Sequence, residues 1–349
     1  MSKKQRVVYA ILFFLVMTGI FMISQQKNSY RLKELNQAET LQITVALLDY
    51  RNVPSDEGGT LYQNLLQQTS VIARQFNALL FEDEQNYIDT TIELTDIREQ
   101  ARQLDGFSDI TSLQLSKEQV QRDETYYKAL KESGKTLPLE SLTFGRLIIS
   151  LLTILGVAWF PLISVVNARL IVDEKEHESL LKGQPRSLTQ RLVRNFIKKS
   201  LILGGVLVLT IGYLAILQSI SGSGFGDLSL IEVVYQNKFV ITTVVKKVCY
   251  YILFGYLVFM LSFLISSVLN NITKNSYVTV IIECMTYAFI WLFPTQLKLA
   301  TVLSPSLIIE GTSYVSINQG VMYLLGSIVV LIVIFFIQLK LSRGGRRND

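Results

Sequence analysis

The single histidine of this 349-residue chain, His177, stands among Glu174, Glu176 and Glu178, residue types that could ligate zinc or relay a proton. Zinc requires three or four converging ligands, and a nucleophilic site needs a base oriented by a second group. There is no second histidine, and the only cysteines, Cys249 and Cys284, are remote in sequence. Glutamates at alternating positions point in different directions on a helix. The chain therefore reads as a non-enzyme with no metal site and no cofactor of its own. Hydrolysing ATP would require a phosphate-cradling G-x-x-x-x-G-K-[ST] loop, and the sequence contains none. Energy for any work must come from a separate subunit. One ionisable residue remains of interest, Glu283 in the apolar run VIIECMTYAFIW. A carboxyl at membrane depth is costly and is either functional or bonded. It reads as a substrate or proton contact, or as a structural group bonded to Ser, Thr or Tyr of a neighbouring helix.

These residues have to be positioned by a membrane. Half of the chain is hydrophobic and the mean hydropathy is +0.36, outside the usual soluble range. Crossing about 30 Å of hydrocarbon takes roughly 20 apolar helical residues, because the backbone has no water to bond there. Six stretches qualify: 7–24, 147–168, 201–220, 248–269, 276–293 and 321–339. The first reads as an uncleaved anchor, since it is longer than a signal-peptide core and lacks a small-x-small cleavage pattern after it. Segment 229–245 is apolar enough to be interfacial, re-entrant or part of the fourth span. Lys246 and Lys247 at the outer end of that span are expected to snorkel toward headgroups.

Short cytoplasmic loops retain Lys and Arg. Residues 1–6, loop 169–199, Lys274 and the tail bearing Lys340, Arg343, Arg346 and Arg347 carry those charges, and threading six spans puts all of them on one side. Both termini are then cytoplasmic. Segment 25–143 instead holds 12 Lys plus Arg against 19 Asp plus Glu, a net of −7, so the remainder of this +5 chain carries +12. The basic excess is thus a topology signature rather than a nucleic-acid footprint. The expected architecture is an all-α integral membrane protein. It comprises 1–24 as cytoplasmic end and first span, 25–143 as a helical extracytoplasmic domain, and 144–349 as five further helices with a cytoplasmic loop, 169–200, and a basic tail.

Helical periodicity runs through the insert. Helices are expected at 31–50 (stripe Leu32, Leu35, Leu41, Val45, Leu48), 58–81 (Leu61, Leu65, Ile72, Phe76, Leu79, Leu80), 86–104 (Ile88, Ile92, Ile97, Ala101, Leu104) and 116–133, the last stopped by Gly134. With no cysteine in the insert, packing alone must hold it. Its acidic surface is that of a solvated face, with recruitment of a cationic peptide as the other reading.

Loop 173–199 reads DEKEHESLLKGQPRSLTQRLVRNFIKK. An acidic cluster leads through a Gly/Pro turn to a basic run with Leu188, Leu192 and Phe196 four apart, flanked by Arg191, Arg194, Lys198 and Lys199. Such a helix could lie along the inner membrane face with its apolar stripe in the lipid. The loop resembles the segment between the second and third spans of ABC type-2 transporter permeases, where E-K-E-x-G-T precedes leucines, a proline, a Ser/Arg turn and a Lys-bearing helix. The matching positions are Glu174, Lys175, Glu176, Leu180, Leu181, Pro185, Arg186, Ser187 and Arg191, followed by Lys198 or Lys199; Glu178-Ser179 replaces the usual Gly-Thr. The Gly-rich stretch 222–227 and SPSLIIEG at 304–311 are also similar to bacterial members.

The resemblance implies a coupling helix that docks on a separate ATP-binding-cassette ATPase, a homo- or heterodimer with a second permease, and a bacterial cell membrane location. The cargo would be an amphiphile such as a peptide, drug or lipid, exported with ATP bound by the partner. Certain membrane proteins resembling this family carry a large domain after the first span and act as scaffolds or surface receptors of secretion complexes, which is the alternative.

Overall fold

The computed structural model describes residues 14–15, 17–22, 28–50, 58–104, 106–109, 117–135, 137, 143–168, 188–221, 225, 230–293, 298–311 and 315–344. The chain forms two compact units, one of residues 1–147, 213–233 and 239–245, the other of 148–212, 234–238 and 246–349.

The first unit is dominated by a domain of four helices: α1 (Asn28–Tyr50), α2 (Gly58–Leu80), α3 (Glu84–Ala101) and α4 (Lys117–Ser133). All four match the expected segments to within about three residues. Asp83 starts α3 by accepting from the Asn86 N–H at 3.0 Å, an N-cap that satisfies one orphan donor. Gly134 ends α4 in the left-handed region (φ 61°), where a side chain would be strained. One core joins Ile43 and Ala46 of α1, Leu61, Leu65 and Ile72 of α2, and Leu94 and Ile97 of α3.

The expected stripe of α2 is the buried one, except that Phe76 is half-buried and Leu80 exposed. The expected stripe of α1 is not: Leu35, Leu41, Val45 and Leu48 are all exposed. The reason is polar. Asn36 lies on the inner face, where its amide donates to the Ile72 carbonyl (3.1 Å), and Arg98 of α3 pairs with Glu39 at 2.8 Å. Asn64 donates to the Ile97 carbonyl (3.0 Å) and Gln75 to Thr91 Oγ1 (2.8 Å). Each of these three amides thus has a specific partner on the next helix, fixing the register of α1, α2 and α3.

A second cluster gathers Ala78, Leu79, Tyr87, Ile88, Tyr127 and Leu130, with Ile231 added from a hairpin. That hairpin, β1 (Ile231–Tyr235) and β2 (Phe239–Thr243), occupies most of 229–245 and is the only pair of strands among the described residues. Its tight turn places Asn237 at φ 63°, a conformation asparagine tolerates better than most residues. Burial pushes the Tyr87 hydroxyl up to about 12. Unfolded tyrosine ionises near pH 10, so the neutral form is favoured by the fold. The stability it reports is intact below about pH 10 and is lost as pH rises toward 12. Absorbance titration of tyrosinate is expected to show a fraction that ionises only at this upper end, shifting to ordinary values in denaturant and diminished in Tyr87→Phe.

The second unit is built on helices long and apolar enough to cross a membrane: α5 (Phe144–Asn167), α6 (Leu188–Ile220), α7 (Val244–Thr273) and α10 (Ile317–Gly344). Between them lie α8 (Ser276–Leu292), a 17-residue apolar helix, and the short α9 (Pro305–Ile309). A helical membrane protein is therefore present, with four such spans among the described residues. Of the expected first span, only 14–15 and 17–22 are described, as helix.

Three features explain how these helices hold together without a hydrophobic effect between them. Pro161 inside α5 has no N–H for the carbonyl of Val157, four residues back. The Tyr287 hydroxyl of α8 donates to that carbonyl instead. The Trp159 indole donates to the Gly255 carbonyl of α7 at 2.8 Å. At Gly156 an added Cβ would lie 2.4 Å from Ser306 Oγ and 3.1 Å from its backbone nitrogen, so only glycine admits the 304–309 segment this close to α5. Within that segment Pro305 opens α9, and Gly311 follows it at φ 78°, the usual asymmetry of proline at the start and glycine past the end.

Candidate functional site

Of the residues matched to the coupling motif, Glu174, Lys175, Glu176, Leu180, Leu181, Pro185, Arg186 and Ser187 lie outside the described residues. Arg191 is on the first turns of α6, half-buried. Here the structure departs from a helix lying on the membrane face. The basic run is the beginning of α6 itself, one unbroken helix of 33 residues, about 50 Å long at 1.5 Å per residue. Two residues of its apolar stripe are covered by protein: Leu192 clusters with Phe263 of α7 and Phe335 of α10, and Phe196 packs against them. Phe196 stacks on Phe259 at 5.4 Å between ring centroids and meets Phe263 edge-on at 5.1 Å. Arg194 and Lys198 are exposed. The Lys199 ammonium donates to the Val166 carbonyl in the last turn of α5, where the helix end presents unpaired carbonyls and partial negative charge.

Glu283 sits on the inward side of α8, 2% exposed, in a polar seam shared by α5, α7 and α8. Ser266 of α7 donates to its Oε1 at 2.7 Å. Ser164 of α5, fully buried, lies beside the same carboxyl. One turn along α5, Asn167 donates to Ser262 of α7 at 3.3 Å. Asn270 of α7 donates to the Ala168 carbonyl at 2.7 Å and accepts from Thr279 of α8, also at 2.7 Å. The carboxyl is thus held through Oε1 by Ser266 of α7, with Ser164 of α5 beside it.

The rest of this seam was not identified from sequence, although a signal existed. Ser262, Ser266 and Asn270 recur every four residues on α7, as Thr279 and Glu283 do on α8, and such spacing stacks polar groups on one helix face.

Lys247 corrects another expectation. It does not snorkel outward: it is 1% exposed and pairs with Glu310 at 2.9 Å. The Tyr251 hydroxyl donates to the same Glu310 oxygen at 3.0 Å, and Thr153 Oγ1 lies 2.9 Å from that hydroxyl. This network ties α5 and α7 to the residue after α9. Next to it, a groove of about 190 Å³ runs between α5, α6 and α7, lined by Leu152, Gly156, Trp159, Leu203, Gly204 and Gly255. Of its polar aromatic groups, the Trp159 N–H and the Tyr251 hydroxyl are engaged within the protein. The groove therefore offers mainly hydrocarbon contact. Among the described residues no cluster of three His, Cys, Asp or Glu could hold a metal ion. Comparison of the chain with protein-family models, curated proteins and solved structures gave no match.

Proposed function

We propose that this chain is the membrane subunit of an ATP-binding-cassette exporter, with six spans, both termini cytoplasmic and domain 25–143 on the outer side of a bacterial cell membrane. It works beside a second permease subunit, identical or homologous, and two ATPase subunits that dock on loop 169–187 and the start of α6. The observation that carries this reading is the continuity of α6. A helix of about 50 Å exceeds the roughly 30 Å hydrocarbon core by some 20 Å, so its cationic turns reach beyond the bilayer. Phe196 and Leu192 anchor those turns to α7 and α10. A push on the loop is then transmitted as a tilt of the bundle, changing the side to which the cavity opens. The apolar groove between α5, α6 and α7 suits the hydrocarbon part of an amphiphilic cargo. No bond chemistry takes place in this subunit.

Co-purification with the ATPase encoded beside this protein, with stimulated ATP hydrolysis as readout, tests the assignment. Reversing the charges of Glu174, Glu176 and Arg186 together is expected to abolish both association and stimulation while leaving the protein in the membrane. Unchanged association and hydrolysis would remove the coupling role and favour a non-transporting scaffold.

A further inference from the structure

Helix α6 is held by protein at its cationic end but not within its apolar stretch. Leu192 and Phe196 pack against α7 and α10, yet none of residues 200–209 is buried. Of the most apolar stretch of α6 only 11% is buried, against 50% in α5 and 56% in α7. The glycines at this level show where contact is lost. A Cβ on Gly156 would lie 2.4 Å from Ser306 Oγ, and one on Gly255 would lie 3.5 Å from the Trp159 indole, so α5, α7 and the 304–309 segment touch one another. A Cβ on Gly204 would meet nothing within 4 Å, although Gly204 lines the groove with Leu203 and Leu207 of the same helix. At this level α6 therefore stands off from α5 and α7, and the groove is the space between them.

The groove is walled by the apolar stretches of three spanning helices, which places it at the depth of the hydrocarbon. Its accessible lining is almost wholly apolar, and cavities of that character exclude water and accept apolar molecules. Gly204 is also exposed, and it adjoins the outward residues Leu201, Val208 and Leu209, all exposed. The groove is thus continuous with the lipid-facing side of α6. An alkyl chain seated there touches protein on three walls instead of one. In a bilayer that gain is one of dispersion contact rather than of the hydrophobic effect. We propose that the groove between α5, α6 and α7 holds an acyl chain of a bilayer phospholipid, which completes the packing of α6. The proposal rests on the membrane-spanning helices and goes beyond the exporter reading; in an exporter, the hydrocarbon of the cargo would have to displace this chain.

The two tryptophans of the chain, Trp159 and Trp291, provide the test. Trp159 lines the groove and is 9% exposed, whereas Trp291 of α8 is 42% exposed. The full-length Trp291→Phe and Trp159→Phe proteins, each keeping one tryptophan, are reconstituted in phosphatidylcholine bilayers with or without bromine at mid-chain, a contact quencher of indole fluorescence. Brominated lipid is expected to quench Trp159 at least as strongly as Trp291, despite its burial in the protein. Adding Gly204→Leu to the Trp291→Phe protein fills the groove and is expected to abolish that quenching. Adding Gly205→Leu instead is expected to preserve it, since a Cβ there also meets nothing within 4 Å but Gly205 does not line the groove. If the Gly204→Leu protein does not fold, Leu207→Phe takes its place. Weaker quenching of Trp159 than of Trp291 would overturn the proposal. Quenching that persists in the groove-filling variant would place the lipid outside the groove and likewise overturn it. Protein and lipid are the only components, so neither result bears on association with an ATPase, which tests the exporter reading separately.

Discussion

Replacing Lys247 with methionine is expected to destabilise the protein by about 3–5 kcal/mol, the usual result of removing one member of a buried ion pair. The side chain is 1% exposed and its ammonium lies 2.9 Å from Glu310, so the loss arises mainly on the other side of the pair. Glu310 would keep its charge beside Tyr251 in a region with little water to solvate it. The companion experiment separates this from lost packing. Lys247→Met combined with Glu310→Gln removes both charges and leaves an amide that still accepts from Tyr251, and it is expected to recover most of the stability. Replacing a whole buried pair by neutral groups is often close to neutral. The measurement is the apparent unfolding midpoint in detergent at fixed scan rate, since membrane proteins of this size seldom unfold reversibly. If the single variant unfolds at the wild-type temperature, the pair carries no such weight.

The second large effect belongs to the four-helix domain. Leu65→Ala is expected to cost about 2–5 kcal/mol, combining lost transfer energy with a cavity that the surroundings only partly fill. Leu65 is fully buried where α1, α2 and α3 meet, and no disulfide supports the domain. Leu41→Ala is the matched control. Leu41 is 68% exposed, and surface truncations usually change stability by less than about 0.5 kcal/mol. The same chemical change on neighbouring helices thus discriminates the buried stripe of α2 from the exposed stripe of α1. The rate of proteolysis within 28–135 of the intact protein measures both. Equal rates for the two variants would mean that the core is wrongly placed.

That contrast also marks how far sequence periodicity reaches. Along α2 the apolar residues Leu61, Leu65, Ile72 and Leu79 occupy one face, and that face is the core. Along α1 apolar residues occur on two faces, Leu41, Val45 and Leu48 on one and Ile43 and Ala46 on the other. Periodicity states that a face is apolar but not what it meets. The choice was made by Asn36 and Glu39, which find the Ile72 carbonyl and Arg98 only when Ile43 points inward. A polar residue has no burial signature in sequence because its cost depends on a partner contributed by another helix.

The membrane segments follow the same logic. Existence and approximate bounds of the long apolar helices were legible in sequence, because hydrocarbon forces every backbone group to be bonded within its own helix and sets a minimum length. Charge asymmetry and the absence of a phosphate-binding loop were legible too, being matters of composition and local motif. The junction between the basic run and the third span was not, since nothing in residues 188–200 distinguishes a surface helix from the first turns of a longer one. The covering of Leu192 and Phe196 by α7 and α10 decided it. Lys247 was misplaced for an equivalent reason: its partner Glu310 is 63 residues away. Glu283 stood out in sequence as an ionisable group in an apolar run, but Ser164, Asn167, Ser262 and Ser266 did not, because a serine or asparagine in a span is unremarkable until three helices bring them together. The sequence by itself thus determined a helical membrane protein, its charge distribution and four helices within residues 28–133. The tertiary structure alone decided which polar groups meet, because hydrogen bonds and ion pairs between helices are fixed by distances that no single helix encodes.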